Sequence, residues 1–217
     1  MKTILWTVLL LSVVFAAIAY VPEETILADY GDMVFRPDSS TLCIITEGGD
    51  SVLFENNRDW DNAEEFAVYK VIDYLPKQGY WVIEMGGYEW MEWRLVNGNT
   101  GNTQTIISEP IPSPDGNRLL CFKEDLRAGF IPNGIQVWRI DPDAMTLEFE
   151  DVDVPWGPID AEWVGDSSVV FNKMSYDCET WETLTLPGRL ELGSDGIWIP
   201  DDPADWIFTQ DEPVNLD

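Results

Sequence analysis

The chain has 217 residues, and its 40 acidic residues against 12 basic ones give a formal net charge of −28. So negative a field repels nucleic acid and anionic membrane surfaces, and it favours solubility, cation binding or a basic partner. The chain contains no histidine, which excludes Ser-His-Asp and Cys-His catalysis and every His-ligated zinc or iron site.

The first segment has the pattern of a secretory signal peptide. Lys2 precedes an apolar run over residues 4–19, which ends in the small-x-small triplet Ala17-Ile18-Ala19. The pattern predicts cleavage after residue 19, although a retained membrane anchor is the alternative. The run is shorter than the roughly 20 residues of a spanning helix, and we expect no membrane span after cleavage. Residues 20–217 are then one extracytoplasmic domain, periplasmic or secreted.

Short runs rich in Val, Ile, Thr, Trp and Tyr alternate with clusters of Gly, Pro, Asn and Asp through the rest of the chain. This alternation is typical of an all-β protein. The best helical candidate is residues 60–72, where apolar residues form a weak stripe. Its second half, "FAVYKVI", fits a strand equally well.

A turn followed by an apolar strand occurs repeatedly. The units cover residues 35–45, 74–84, 111–122 and 162–172, with a weaker fifth at 191–200. The central apolar residues of the first four units are Leu42, Trp81, Leu120 and Val170, at spacings of 39, 39 and 50 residues. Even spacing of this kind indicates a structural repeat.

A second shared element follows two of these units. Residues 91–106 and 136–150 both have Trp-Arg-aliphatic, a polar turn and another strand, with Trp93 and Trp138 45 residues apart. A repeat of roughly 40–45 residues with about four strands is the signature of a β-propeller blade, which is stable only when neighbouring blades cover its faces. We therefore predict a small propeller-like domain of four to five blades; the alternative is a β-sandwich or barrel.

Residues 113–122, "SPDGNRLLCF", resemble the Ser-Pro-Asp-Gly turn and strand of TolB-like propellers, which are related to the tryptophan-aspartate repeat propellers. "RPDSSTLCII" at 36–45 is a degraded copy without the glycine. The resemblance implies a propeller fold, and loops that are presented to a partner on one face.

Several carboxylates lie next to tryptophans in the sequence. They are Asp59, Asp61, Glu64, Glu65, Glu89, Glu92, Asp160 and Glu162. Indole faces stack on sugar rings and paired carboxylates hydrolyse glycosidic bonds, so this pattern is compatible with a carbohydrate-active domain. Trp60 and Trp156 lie among turn residues. We therefore predict that they are exposed and form, with Asp59 and Asp61, a binding platform.

The remaining chemistry is sparse. No phosphate-binding loop, nucleophile elbow or dinucleotide glycine motif occurs. Acidic loops at 59–62, 140–144 and 200–205 offer oxygen ligands for calcium, but none completes an EF-hand, so we predict no cofactor and keep calcium as the one candidate. Of Cys43, Cys121 and Cys178, the first two lie in apolar runs and are expected to be buried.

These observations favour an exported, acidic, β-propeller-like binding or scaffold protein without catalytic activity. Its partner would be a protein or a glycan. The alternative is a carbohydrate-active domain, either a carboxylate-dependent glycosidase or a sugar-binding, lectin-like module.

Overall fold

The computed structural model describes residues 21–177, 180 and 182–200. The predicted signal peptide, residues 1–19, lies outside them. In the described part strand is the predominant secondary structure and one short helix is present, which confirms the all-β prediction. The strands form four antiparallel sheets, none of which closes into a barrel.

The strands follow one another in chain order within each sheet. The first sheet contains β1 (Val34–Phe35), β2 (Thr41–Ile45) and β3 (Ser51–Glu55). The second contains β4 (Ala67–Leu75), β5 (Tyr80–Gly87), β6 (Met91–Asn97) and β7 (Thr103–Ile106). The third contains β8 (Ile111–Pro112), β9 (Arg118–Lys123), β10 (Gly134–Ile140) and β11 (Met145–Val152). The fourth contains β12 (Gly157–Trp163), β13 (Ser168–Tyr176), β14 (Thr183–Leu192) and β15 (Trp198–Pro200).

The four main turn-and-strand units of the sequence occupy equivalent positions in the four sheets. Each spans the first hairpin of one sheet: β1–β2, β4–β5, β8–β9 and β12–β13. The weaker fifth unit, 191–200, covers the later hairpin β14–β15. In residues 60–72 the strand alternative was right, because β4 begins at Ala67 and turns precede it.

A short helix, α1 (Glu23–Asp29), precedes the first sheet and was not predicted. Pro22 occupies its N-cap, and Glu23 and Glu24 in the first turn favour the positive end of the helix dipole. Proline followed by two acidic residues is a recognisable helix start. The helix buries Ile26, and the Glu23 carboxylate pairs with Arg36 at 2.8 Å, which attaches it to the sheets.

The core consists of three apolar clusters, one between each pair of successive sheets. The first cluster contains Leu42 and Ile44 of the first sheet with Trp81 and Ile83 of the second. The cluster between the second and third sheets contains Val82, Leu95, Leu119 and Trp138, and that between the third and fourth contains Leu120, Val137, Val169 and Leu190. The sheets therefore pack in chain order, first to fourth.

The second and third sheets are buried on both faces because neighbouring side chains of a strand point in opposite directions. In β5, Trp81 and Ile83 face the first sheet while Tyr80 and Val82 face the third. In β9, Leu119 faces the second sheet and Leu120 the fourth.

The same alternation refines the sequence repeat. Leu42 and Leu120 contact the sheet that follows their own, whereas Trp81 contacts the sheet that precedes its own. The four central residues of the repeat are therefore not on equivalent faces. Trp93 and Trp138 occupy the third strands of their sheets but face each other's sheets in one cluster.

A β-bulge gives the third and fourth sheets a polar link. The register between β10 and β11 shifts so that Glu148 has no direct partner across the strands. Its carboxylate accepts hydrogen bonds from Arg118 Nε at 2.7 Å and from Trp198 Nε1 at 3.0 Å. Because Trp198 belongs to β15, this contact connects the outer strands of the two sheets.

Two of the three thiols can be assigned. Cys43 and Cys121 are both buried, as predicted, and both are free thiols; burial raises the pKa of each. Cys178 lies outside the described residues.

Leu120→Ala should destabilise the protein by about 2–5 kcal/mol, since Leu120 is fully buried and its loss leaves a cavity between the third and fourth sheets. Leu53→Ala is the matched control, because Leu53 is 55 % exposed and its truncation should cost about 0.5 kcal/mol or less. Urea denaturation of the two variants measures the difference. Equal losses would contradict the packing of the third sheet against the fourth.

Candidate functional site

The loop between β3 and β4 carries three of the four predicted binding residues. The ring of Trp60 is 67 % exposed, as predicted, and its centroid lies 4.1 Å from that of Phe66 at an interplanar angle of 31°. One indole face therefore rests on Phe66, and solvent reaches the side chain. Asp59 shapes the loop, because its Oδ1 accepts the Asp61 N–H at 3.0 Å.

Trp156, the fourth predicted residue, is buried, so the prediction that it is exposed was wrong. Only 1 % of its surface is accessible, and its ring lies 5.8 Å from that of Phe171 in a nearly parallel arrangement. The turn that carries it connects the third and fourth sheets, and the indole fills the cluster between them. Trp156 therefore cannot form a platform with Trp60.

The carboxylates beside tryptophan are distributed over different elements. Glu64 and Glu65 are exposed in the β3–β4 loop, whereas Asp160 and Glu162 are exposed on β12 of the fourth sheet. Glu92 is engaged in an ion pair with Arg94 at 2.6 Å. These carboxylates thus lie on different elements of the fold. A glycosidase site would have to combine carboxylates from those separate elements.

No metal centre is apparent in residues 21–177, 180 and 182–200, where no three carboxylates or thiols gather closely enough to hold an ion. This covers the predicted calcium loops 59–62 and 140–144. Of the third loop, residues 201–205 lie outside the described part.

A cavity of about 220 Å³ lies where turns of the first and second sheets meet. Its polar and aromatic lining residues are Asp32, Thr46, Glu47, Tyr74, Trp81 and Asn99; Gly98 completes the wall. None of the residues that line it is Lys or Arg. We call it the inter-sheet cavity.

Two aromatic rings line this cavity, and a third packs against both of them. The centroids of Tyr74 and Trp81 are 4.3 Å apart, and Tyr30 lies 5.2 Å from Tyr74 and 5.4 Å from Trp81. Burial raises the pKa of Tyr74, and the negative charge of Glu47 raises it further. Tyr74 therefore stays neutral at physiological pH and has a carboxylate nearby.

Sequence reasoning missed most of this group. Tyr30, Asp32, Glu47 and Tyr74 come from the end of α1 and from three different loops or strands, and no local motif connects them. In the sequence, Trp81 was identified only as the central apolar residue of the second repeat unit.

Most of the basic side chains are engaged within the chain. In the described part six form ion pairs: Arg36–Glu23, Lys70–Glu84, Arg94–Glu92, Arg118–Glu148, Arg139–Asp141 and Arg189–Glu191. Two more lie over aromatic rings, Lys123 over Trp93 and Arg127 over Tyr176, and Lys173 is fully buried. The acidic surface is therefore left largely without opposing positive charge.

Three carboxylates of the second sheet and the following loop repel one another. Although solvent reaches Glu109, its partial desolvation raises the pKa of its carboxyl, and the charges of Asp73 and Glu84 raise it further. Partial desolvation likewise raises the pKa of Asp73, although the hydrogen bond from the Tyr74 N–H opposes this.

Comparison with protein families, with curated proteins and with solved structures finds no match for this chain. Across the described ranges, no helix combines the length and apolar character needed to cross a bilayer.

Glu109→Gln should stabilise the protein at pH 7. Because the folded-state pKa of Glu109 is raised, its favourable contribution is present below the ordinary Glu pKa of about 4.3 and is lost as pH rises through the folded value. Glutamine mimics the neutral form, and because solvent reaches Glu109 and screens the neighbouring charges, the melting temperature should rise by only about 1 °C at pH 7 and be unchanged near pH 3.5. Thermal melts of Glu64→Gln, a carboxylate of the β3–β4 loop, are the control. A gain at low pH, or none at pH 7, would contradict the assignment.

Proposed function

We propose that this chain is an exported, acidic, β-propeller-like binding or scaffold protein without catalytic activity, and that its partner carries positive charge. The observation that carries the proposal is the internal engagement of the basic residues in a chain with 40 carboxylates. A surface of this kind attracts cationic groups over several ångströms and accelerates their association.

The order of the sheets supports the propeller-like arrangement. Each sheet is an antiparallel meander, and each packs on the one that follows it in the chain, as blades do. The four equivalent first hairpins agree with a repeated unit. A partner would then contact loops and turns, which vary between the sheets while the strands keep them in place.

The sequence supports a role in binding more than in catalysis. The chain has no histidine, and the carboxylates next to tryptophans are either paired, as Glu92 is, or exposed on separate elements. Export is supported by the pattern of residues 1–19 alone.

The protein should bind a basic peptide such as decalysine, with an affinity that falls at least about tenfold between about 50 mM and 500 mM NaCl, because salt screens exposed charges. Titration calorimetry or fluorescence anisotropy of the labelled peptide measures this. A neutral Gly-Ser peptide of equal length is the control. Absent binding at low salt, or binding that salt does not weaken, would refute the cationic partner.

Sugar binding is the second candidate, and the exposed Trp60 favours it. An indole that rests on Phe66 is held in place and can stack on a pyranose ring, while Asp59 and Asp61 lie beside it in the chain as potential acceptors of sugar hydroxyls.

On a glycan array, Trp60→Ala should lower the signal for any bound glycan at least about tenfold if the ring is a stacking platform. Tyr88→Ala is the matched control, since Tyr88 is also an exposed aromatic residue but lies outside this loop. A hydrolysis screen on common polysaccharides should show no turnover. Equal binding by both variants and the wild type would exclude the Trp60 platform, and turnover would favour the glycosidase alternative.

A further inference from the structure

We propose that the inter-sheet cavity binds an organic ammonium ion, of which a quaternary ammonium with a hydroxyl group is the best-fitting class. This goes beyond the proposed function, because it assigns a small ligand to one cavity and does not depend on a macromolecular partner at the acidic surface. Three features of the cavity lead to this class: aromatic walls, carboxylates without a basic neighbour in the lining, and an indole N–H without an acceptor among the described residues.

The aromatic walls select for a cation with an apolar surface. Tyr74 and Trp81 both line the cavity, and Tyr30 contacts both rings. Aromatic faces attract cations, and alkylated ammonium ions gain most because they shed little hydration on entering. A small inorganic cation would instead need a close set of oxygen ligands, which the described residues do not assemble here or elsewhere.

The carboxylates give the cavity its charge preference. Asp32 and Glu47 both line it, and neither has a Lys or Arg beside it in the lining. Glu47 is near enough to Tyr74 to raise the pKa of its hydroxyl. The cavity therefore combines a neutral phenol with two negative groups, a combination that disfavours anions and gives a neutral ligand no electrostatic gain.

The indole N–H of Trp81 specifies a second group on the ligand. Trp81 lines the cavity, and no hydrogen bond joins its Nε1–H to an acceptor in the part of the chain that the structure describes. A Cβ on Gly98 would lie 3.7 Å from this nitrogen, so the glycine keeps the N–H accessible from the cavity. A ligand oxygen that accepts from this N–H would add a directed hydrogen bond that a ligand without an acceptor cannot make.

The test uses the whole protein and three small probes: choline, tetramethylammonium and 3,3-dimethylbutanol, the neutral analogue of choline. Titration calorimetry should show one choline site with a dissociation constant of about a millimolar or below, and the neutral analogue should bind at least about tenfold more weakly. Equal binding of choline and the neutral analogue, or no saturable choline binding up to about 50 mM, would overturn the proposal.

Two pairs of charge variants separate the cavity from the general acidic field. The double variant Asp32→Asn, Glu47→Gln should weaken choline binding at least about tenfold. The double variant Glu64→Gln, Glu65→Gln removes the same charge from the exposed β3–β4 loop and should change the affinity less than about twofold. Equal losses of choline affinity in both double variants would attribute the binding to the general negative charge of the surface and refute binding in the cavity.

Trp81→Phe tests the donor. It removes the Nε1–H but keeps an aromatic ring in the cavity wall, so it should weaken the binding of choline more than that of tetramethylammonium, which has no acceptor for the N–H. A thermal melt of the same variant reports whether it is folded. Equal losses of affinity for both probes in a folded variant would contradict the donor's role. Choline binding in the cavity can be refuted while decalysine still binds, and decalysine binding can be refuted while choline still binds. The two proposals are therefore tested separately.

Discussion

Face-to-face burial of thin sheets is the constraint on which this structure depends. A single meander of three or four short strands has two faces and cannot cover either of them. Here the chain solves this by packing each sheet on the next, so that Leu42 meets Trp81, Val82 meets Leu119 and Leu120 meets Val169 in three separate clusters. The second and third sheets are consequently buried on both sides, and β5 and β9 read as continuous apolar runs. Stability of this kind is shared between neighbours, because removal of one sheet would expose a face of the next.

The charge distribution follows from the same constraint. Apolar side chains fill the three clusters between the sheets, and among the charged side chains of the described part Lys173 of β13 is fully buried. Several of the few basic residues pair with nearby acids at the surface, as Arg139 does with Asp141, or inside the fold, as Arg118 does with Glu148. Exposed ion pairs contribute little to stability individually, but they neutralise positive charge that could otherwise balance the surface. The negative field is thus a property of the whole molecule. In the inter-sheet cavity, two carboxylates lie beside aromatic rings.

Polar contacts between neighbouring sheets show how sheet packing brings functional groups together. The Glu148 bulge joins Arg118 of β9 to Trp198 of β15. The inter-sheet cavity likewise draws residues from the turn after α1, from a turn of the first sheet, and from two strands and a turn of the second. Neither group exists within one sheet. Both form because packing of the sheet faces brings residues of successive sheets together. Substitutions in the core are therefore expected to perturb these sites.

The sequence alone determined the all-β class, the four first hairpins and the burial of Cys43 and Cys121, because strand period, turn residues and apolar runs are local properties. It also identified Trp60 as exposed. It could not decide whether Trp156 is buried, because Trp156, like Trp60, lies among turn-forming residues but packs between the third and fourth sheets. Nor could it place Asp32, Glu47, Tyr74 and Trp81 around one cavity, since their proximity depends on which sheet faces which. Local chemistry fixes where a strand or turn forms, whereas the packing of sheets decides which side chains are covered and which meet.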